Sequence, residues 1–298
     1  MTDNITRLKL AGKKVFISGG TRGLGLAITK SLMQAGADVS FCGRNSGEVA
    51  NVERDLKSFN TLNSRQEVLG LTADVGDFNQ IKRLEEEIQK KFGNIDILVC
   101  NAGVLGPISQ FLENDLDEWI SALNINLLGS IFLIHELLPA MIENGKGKII
   151  QLSGGGATSP LPGLTSYAAS KAGVIRFIET LAEEYKDSGV DINAIAPGML
   201  KTRMLKEMLD AGPDILGSQL FNKSVDKAAD KTDSTKKACE LVNFLASDES
   251  NGITGKLISA EWDNWNEWPN HIQQLRESDL YTLRRITGRD RNQTWGDI

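Results

Sequence analysis

The sequence predicts a doubly wound α/β fold, in which a parallel sheet of about seven strands carries helices on both faces. Short apolar runs alternate with longer segments of helical periodicity, a pattern typical of successive βαβ units. The short runs are apolar on both faces, as expected for central strands covered on each side. The predicted strands are KVFIS (14–18), VSFC (39–42), EVLGL (67–71), IDILV (95–99), KIIQL (148–152), DINAIA (191–196) and KLIS (256–259).

Two segments interrupt this alternation. We expect residues 1–261 to form one domain, because no internal repeat or low-complexity stretch divides them. Within that domain, residues 199–233 make a long excursion after the sixth predicted strand, and such connections are often substrate lids. Residues 262–298 form an extension that holds four of the five tryptophans. We expect these indoles to dock across the pocket rim or a subunit interface, with sugar stacking as the alternative.

Composition excludes several classes of partner. The 298 residues include 39 acidic and 33 basic side chains, a formal charge of -6, without a dense Lys/Arg block that could follow a nucleic-acid backbone. The first residues lack the apolar core of a secretory signal, and no uninterrupted apolar run approaches the ~18 residues of a membrane span. The three cysteines are scattered and only two histidines occur, so neither disulfides nor a metal site is indicated. We therefore expect a soluble, cytoplasmic protein.

A glycine-rich loop follows the first predicted strand. SGGTRGLG, residues 18–25, runs into a helix whose first N–H groups and positive dipole end suit a pyrophosphate, while glycine permits a sharp turn and close approach. The spacing is GxxxGxG rather than GxGxxG, so the loop alone is equally compatible with a plain turn. The candidate phosphate-binding residues are Gly19, Thr21, Arg22, Gly23, Leu24 and Gly25.

The end of the second predicted strand bears on the choice of dinucleotide. An NAD-preferring site usually places a carboxylate here for the ribose 2′-hydroxyl, but this chain has Gly43 followed by Arg44. Arg22 reaches the same place from the glycine loop, and two guanidiniums suit a 2′-phosphate dianion. The sequence therefore predicts NADP(H) in preference to NAD(H). The alternative is that both arginines are ordinary solvated surface side chains.

Tyr167 and Lys171 stand four residues apart in a predicted helix, so their side chains share one face. An ammonium about 4 Å from a phenol contributes ~4 kcal/mol at an effective dielectric near 20, about three pK units. This predicts a tyrosine pKa lowered from ~10 towards 7, suitable for protonating a carbonyl oxygen as hydride arrives. On its own the spacing is weak, because helices often place Tyr and Lys four apart by chance.

Together these motifs resemble the short-chain dehydrogenase/reductase family over residues 10 to about 260. The resemblance rests, in chain order, on SGGTRGLG, AspVal at 74 and 75, AsnAlaGly at 101 to 103, Asn126 in NINLLG, YAASK, and PGMLKT at 197 to 202. It implies a Rossmann-type fold and direct hydride transfer between a nicotinamide and a ketone, aldehyde or alcohol. It also implies a homotetramer or homodimer assembled through the helices of Asn126 and Tyr167. The alternative is a catalytically silent NADP(H)-binding sensor or scaffold.

The resemblance assigns further roles by position. Lys171 binds the nicotinamide ribose beside Tyr167, which also touches the cofactor, and Asn126 supports a water-mediated proton relay. The remaining cofactor-binding residues are Asp74 and Val75 at the adenine, Asn101, Ala102 and Gly103 along the cleft, and Pro197, Gly198 and Thr202 at the nicotinamide carboxamide.

Two alignments compete for the residue that polarises the carbonyl. The ungapped match puts the family's serine position, thirteen residues before the tyrosine, at Gly154, so that the donor is lost. A shifted match pairs Ser153 and Gly156 with the family's SxxG and places one extra residue in ATSPLP, where three glycines accommodate a bulge. A donor of this kind lowers the barrier by ~3 to 4 kcal/mol, which favours Ser153 as the catalytic residue.

Overall fold

The predicted parallel sheet is confirmed in the computed structural model, which describes residues 9–58 and 66–295. Its strands are β1 (Lys14–Ile17), β2 (Asp38–Gly43), β3 (Val68–Thr72), β4 (Ile97–Cys100), β5 (Gly147–Leu152), β6 (Val190–Ala196) and β7 (Leu257–Ser259). They lie in the order β3-β2-β1-β4-β5-β6-β7 and every neighbouring pair is parallel. Each strand begins and ends within two residues of its predicted bounds.

Helices cover both faces of this sheet. They are α1 (Gly23–Gln34), α2 (Ser46–Ser58), α3 (Phe78–Phe92), α4 (Leu116–Leu123), α5 (Gly129–Glu143), α6 (Thr165–Glu184), α7 (Arg203–Ala211), α8 (Pro213–Ala229), α9 (Lys236–Ala246) and α10 (Ile272–Arg276). Helices α1, α2 and α9 pack on one face, and α3, α5 and α6 on the other. In β1, Val15 and Ile17 enter the first core and Phe16 the second, which explains why the strands are apolar throughout.

The strand order places a crevice between β1 and β4. Chain connections run outward from these two strands in opposite directions, β1 leading to β2 and β4 leading to β5. Ligands of doubly wound sheets bind at the carboxyl ends of the strands where the order reverses in this way. The glycine loop follows β1 and the AsnAlaGly segment follows β4, so both border this crevice.

The expectation about membrane spans needs one correction. The segment Leu116–Glu143 joins α4 and α5 through a single π-turn, and it is long and apolar enough to cross a bilayer by length and composition. It was not predicted, because polar residues such as Asn124 and Asn126 interrupt its apolar run. In the fold, Leu133, Leu137 and Met141 of this helix are buried in the core that covers the sheet. Its apolar character thus serves packing between layers.

The tryptophan-rich extension lies against the β7 end of the sheet. Trp265 and Trp268 are buried in the same core as α9, with the ring of Trp265 5.2 Å from that of Phe244. The backbone N–H of Leu257 in β7 donates to the carbonyl of Tyr281 at 2.8 Å. This contact covers part of an edge strand that would otherwise present free backbone groups. Residues 296–298 of the predicted extension lie outside the described residues.

Truncation after Ala260 is expected to lower the melting temperature, because it exposes the edge of β7 and removes two buried indoles. Removing one buried tryptophan side chain typically costs about 3 to 5 kcal/mol. Thermal denaturation and light scattering would measure the loss of stability and any change in oligomer mass. Trp268→Ala should reproduce much of the loss, whereas Trp262→Ala should not, since Trp262 is 88% exposed. Unchanged melting, mass and kinetics after truncation would show a dispensable appendage.

Candidate active site

The glycine loop is shaped by close backbone contacts. Gly19 has φ +67°, and a Cβ atom there would lie 3.0 Å from the Cα of Ala102. A Cβ on Gly25 would lie 2.1 Å from the carbonyl oxygen of Gly19. Helix α1 begins at Gly23 with no side chain of the described residues capping its first N–H groups. These groups are therefore free to bind an anion, which fits the pyrophosphate of a dinucleotide.

Two polar side chains tie this loop to the end of β4. The side-chain amide of Asn101 donates to the carbonyls of Ser18 and Gly19, at 3.0 and 3.1 Å. The Ser18 hydroxyl accepts from the backbone N–H groups of Asn101 and Ala102, both at 3.0 Å. Asn101 thus holds the floor of the crevice rather than presenting its side chain to it. Ser18 opens the SGGTRGLG motif, but its contact with the segment after β4 was not predicted.

Both arginines predicted to bind a 2′-phosphate lie at the crevice and face carboxylates. Arg22 Nη1 is 4.0 Å from a carboxylate oxygen of Glu48, and Arg44 Nη1 is 3.9 Å from one of Asp74. Both guanidiniums are about half exposed, so water screens these pairs. Glu48 was not among the predicted site residues, because it comes from α2 rather than from the end of β2.

The remaining predicted cofactor residues also border the crevice. Asp74 closes its own turn by accepting from the N–H of Gly76 at 2.9 Å, and Val75 is buried against Gly129. Gly198 follows the buried Pro197 with φ +82°, a left-handed conformation that favours glycine. Thr202 precedes α7, and its methyl carbon lies 3.6 Å from the position of a Cβ on Gly23. The loop after β6 is thereby brought beside the loop after β1.

Asn126 lies at the centre of the π-turn Asn124–Leu128 between α4 and α5, fully buried. Its side-chain amide donates to the Val104 carbonyl at 2.8 Å and to the Ser170 hydroxyl at 3.0 Å, while its oxygen accepts from the N–H of Val104 at 2.8 Å. The Ser170 hydroxyl in turn donates to the carbonyl of Tyr167 at 2.7 Å. Asn126 therefore holds the segment after β4 against the helix of Tyr167, and single π-turns often mark functional sites.

Lys171 is buried close to Asn126 and Tyr167. Its ammonium donates to the carbonyl of Leu152 at 2.9 Å and lies 5.8 Å from the centroid of the Tyr167 ring. A Cβ on Gly103 would lie 3.7 Å from the same ammonium and 3.2 Å from Asn126 Oδ1, so the three residues meet at one point. Burial lowers the pKa of Lys171 to about 8.

The predicted lowering of the tyrosine pKa was wrong for this structure. Burial raises the pKa of Tyr167 to about 12, because the phenolate would lose its hydration. The ammonium of Lys171 is turned towards the Leu152 carbonyl instead of the phenol oxygen. Helical spacing correctly placed the two residues on one face, but it carried no information about burial. Tyr167 is therefore a neutral phenol at neutral pH.

The hydroxyl of Tyr167 approaches Gly154. A Cβ on Gly154 would lie 2.1 Å from the phenol oxygen, so this position has room only for glycine while the tyrosine keeps its place. The backbone of Gly154 is extended, with φ -173°, and none of the three successive glycines has a positive φ. These glycines therefore do not use the left-handed backbone angles that favour glycine. Ser153 is buried, and its hydroxyl has no hydrogen-bond partner among the described residues.

The excursion 199–233 folds into α7 and α8 and packs over the tyrosine. Met208 of α7 and Leu216 of α8 are buried against Leu105 and Leu164, and the Tyr167 ring packs on this cluster. Met199, Met204 and Leu220 extend the same apolar surface. The approach to the phenol is thus lined by flexible, apolar side chains from the excursion.

The three cysteines play no part in this arrangement. All are free and buried, and burial raises the pKa of Cys42 and Cys100 to about 12. These thiols are therefore unreactive at neutral pH, since the thiolate is the nucleophile.

Residues 13–212 match the family model described as short chain dehydrogenase. The chain is 32% identical over 254 residues to a 3-oxoacyl-[acyl-carrier-protein] reductase of Thermotoga maritima, covering 85% of this chain and 98% of the relative. It is also 31% identical over 251 residues to a glucose 1-dehydrogenase of Gluconobacter oxydans, covering 84% and 91%. A gluconate 5-dehydrogenase of Burkholderia cenocepacia, solved with NADP and tartrate, is similar with a TM-score of 0.75 at 25% identity, covering 87% and 97%.

Proposed function

The chain belongs to the short-chain dehydrogenase/reductase family of oxidoreductases, and on that premise we propose that it is an NADP(H)-dependent carbonyl reductase with Tyr167 as its proton donor. The observation that carries this proposal is the meeting of Tyr167, Lys171 and Asn126 at the carboxyl ends of β4 and β5, beside the glycine loop. A sensor or scaffold has no need for a buried ammonium placed next to the phenol of Tyr167.

The crevice fits a dinucleotide. Its glycines let the loop pack closely against Ala102 and turn tightly at the start of α1, and the first N–H groups of α1 are free for the pyrophosphate. We expect Asn101 and Ser18 to keep this loop in place, and Thr202 to lie on its nicotinamide side. When bound, the nicotinamide supplies or accepts the hydride. The preference for the phosphorylated form rests on Arg22 and Arg44, together with the lack of a carboxylate at Gly43.

Tyr167 is in the protonated form that the reductive direction requires. A phenol with a pKa of about 12 stays protonated at neutral pH and can donate its proton to the developing alkoxide. The ammonium of Lys171 stabilises the tyrosinate that this transfer leaves behind. Asn126 supports the proton relay by fixing the segment after β4 against α6. Ser153 orients and polarises the carbonyl oxygen with its buried hydroxyl.

Paired variants decide between the two alignments of the serine. Ser153→Ala is expected to lower turnover about 100-fold with little change in dinucleotide affinity, because the polarising donor is lost. Gly154→Ser should also lower turnover, since its Cβ would meet the Tyr167 hydroxyl at 2.1 Å. Steady-state kinetics on one accepted carbonyl would measure both. Full activity in Ser153→Ala together with a gain in Gly154→Ser would show that the ungapped alignment is right and that this chain has lost the donor.

The excursion 199–233 favours a substrate with an apolar body. Met204, Met208 and Leu216 lie on the surface that covers Tyr167, and methionine adapts to irregular apolar shapes. A polyol would need buried hydrogen-bond partners, which this cluster does not supply. The relatives named as glucose and gluconate dehydrogenases keep a sugar substrate as the second candidate.

One experiment tests the function as a whole. Titration calorimetry with NADPH and with NADH should give the tighter binding for NADPH. NADPH oxidation should then be followed across ketones and aldehydes of increasing apolar size, with sugars and polyols as the comparison. Binding of NADPH without turnover of any carbonyl would favour the silent sensor, and absence of dinucleotide binding would refute both.

We further propose a cytoplasmic homotetramer or homodimer without nucleic-acid or membrane partners.

A further inference from the structure

Glu48 is the one carboxylate at the crevice that approaches both the glycine loop and a proposed phosphate-binding arginine, considering the part of the chain that the structure describes. Its oxygens lie 3.5 Å from the Thr21 hydroxyl and 4.0 Å from Arg22 Nη1. The other carboxylate nearby, Asp74, already closes a turn through the N–H of Gly76. No step of the proposed mechanism uses Glu48.

The backbone of Glu48 is held in place. Its N–H donates to the side-chain oxygen of Asn45 at 2.9 Å, which fixes the first turn of α2 directly after β2. The side chain is about half exposed, so it can exchange one partner for another without leaving a buried charge unpaired. Glu48 therefore presents a fixed but accessible carboxylate to the crevice.

Position 43, which usually carries a carboxylate in an NAD-preferring site, has no room for a side chain in this protein. A Cβ on Gly43 would lie 2.5 Å from the methyl carbon of Thr21, so the Thr21 side chain occupies that space. Glu48 instead brings a carboxylate to the same loop from the adjacent helix. Sequence position alone concealed this, because Glu48 comes five residues after Gly43.

The two dinucleotides would meet this carboxylate differently. A 2′-phosphate dianion binding Arg22 must displace Glu48 as the partner of the guanidinium and then lies close to a like charge. A 2′-hydroxyl is neutral and can donate a hydrogen bond to the carboxylate. The same side chain thus opposes NADP(H) and supports NAD(H).

We propose that Glu48 is a specificity-determining residue that restrains the preference for NADP(H) and allows the chain to use NAD(H) as well. This rests on the proposed function, since it concerns the same dinucleotide site. Glu48 acts at the ribose and its phosphate, far along the cofactor from the hydride. Its effect therefore belongs to dinucleotide affinity.

The test is Glu48→Gln, which keeps the shape of the side chain and a carbonyl oxygen for Thr21. Titration calorimetry should show NADPH binding tightened about threefold and NADH binding weakened about threefold, the scale of an exposed ion pair. The gain for NADPH should shrink as salt rises from about 50 to 300 mM, because screening already weakens the repulsion. Glu53→Gln is the matched control, with the same charge change on the same helix at a residue paired with Lys57.

The outcomes separate the two proposals. A shifted NADPH/NADH affinity ratio in Glu48→Gln with none in Glu53→Gln supports the assignment, provided that melting temperatures match the parent. An unchanged ratio, or an equal shift in both variants, overturns the role of Glu48 and leaves the proposed function standing. Lack of NADPH and NADH binding by the parent protein overturns both at once.

Discussion

Replacing Tyr167 by phenylalanine should lower turnover of any accepted carbonyl by about 10³-fold, because it removes the proposed proton donor and keeps the ring. The ring packs on the apolar cluster of Leu105, Leu164, Met208 and Leu216, and phenylalanine retains those contacts. Stability and NADPH affinity should therefore change little. Burst and steady-state measurements of NADPH oxidation would separate the loss of chemistry from a loss of binding.

The matched control for this variant lies at the C-terminal end of the same helix. Tyr185 follows the last turn of α6, 18 residues from Tyr167, and Tyr185→Phe makes the same chemical change away from the crevice. It should leave kcat/KM unaltered. If Tyr167→Phe keeps its activity while the parent is active, Tyr167 cannot be the proton donor and the mechanism must be abandoned.

The sheet could be predicted from the sequence because its central strands are buried on both faces. Seven short apolar runs between helical segments allow few arrangements other than a parallel doubly wound sheet. The strand bounds were correct to within two residues for the same reason, since burial of both faces leaves a sharp change in polarity at each end. The two helices within the excursion 199–233 were not predicted, because Gly212 and Gly217 interrupt the periodicity that identifies α7 and α8.

The candidate site was predictable as a set of residues but less so as a set of charges. Helical spacing brings Tyr167 and Lys171 to one face, whereas their pKa values depend on burial, which spacing does not report. The upward shift at Tyr167 and the downward shift at Lys171 share this one cause. Glu48 was missed because its approach to Arg22 depends on where α2 begins relative to the glycine loop.

In the tryptophan-rich extension, the spacing of the tryptophans does not predict which of them are buried. Three tryptophans recur every three residues, yet Trp262 is exposed while Trp265 and Trp268 are buried. The segment Trp265–His271 forms a 3₁₀ helix, which places Trp265 and Trp268 on one face, whereas Trp262 precedes this helix. Which indole enters the core is decided by the position of Phe244 and the edge of β7, neither of which the local sequence specifies.

Replacing Lys171 by methionine should have opposite effects on activity and on stability. Its side chain is 4% exposed, and its ammonium has the Leu152 carbonyl as its hydrogen-bond partner, with no carboxylate of the described residues paired to it. A pKa lowered from 10.5 to about 8 means that the folded protein holds the charged form at a cost of about 3 kcal/mol at pH 7. Methionine removes that charge at similar volume and forfeits one hydrogen bond worth about 1 kcal/mol.

We therefore expect the variant to be about 2 kcal/mol more stable than the parent at pH 7, with the melting temperature raised by several degrees. Turnover should fall sharply, because nothing then stabilises the tyrosinate. The sign of the pH dependence follows from linkage. Between pH 8 and 10.5 the unfolded parent binds the Lys171 proton more strongly than the folded parent does, so the stability of the parent rises with pH across this window. The advantage of the variant should shrink over the same range.

Lys148→Met supplies the contrasting control for thermal and urea denaturation without added dinucleotide. Lys148 is also buried, but its ammonium lies 2.6 Å from the carboxylate of Asp191. Removing it strands a partly buried carboxylate, and breaking such a pair costs about 3 to 5 kcal/mol. The two lysine variants should therefore shift stability in opposite directions. If Lys171→Met is destabilised at pH 7 to the same extent as Lys148→Met, the charge of Lys171 is compensated in the folded state. Its ammonium would then not be an uncompensated charge available to stabilise the tyrosinate of Tyr167.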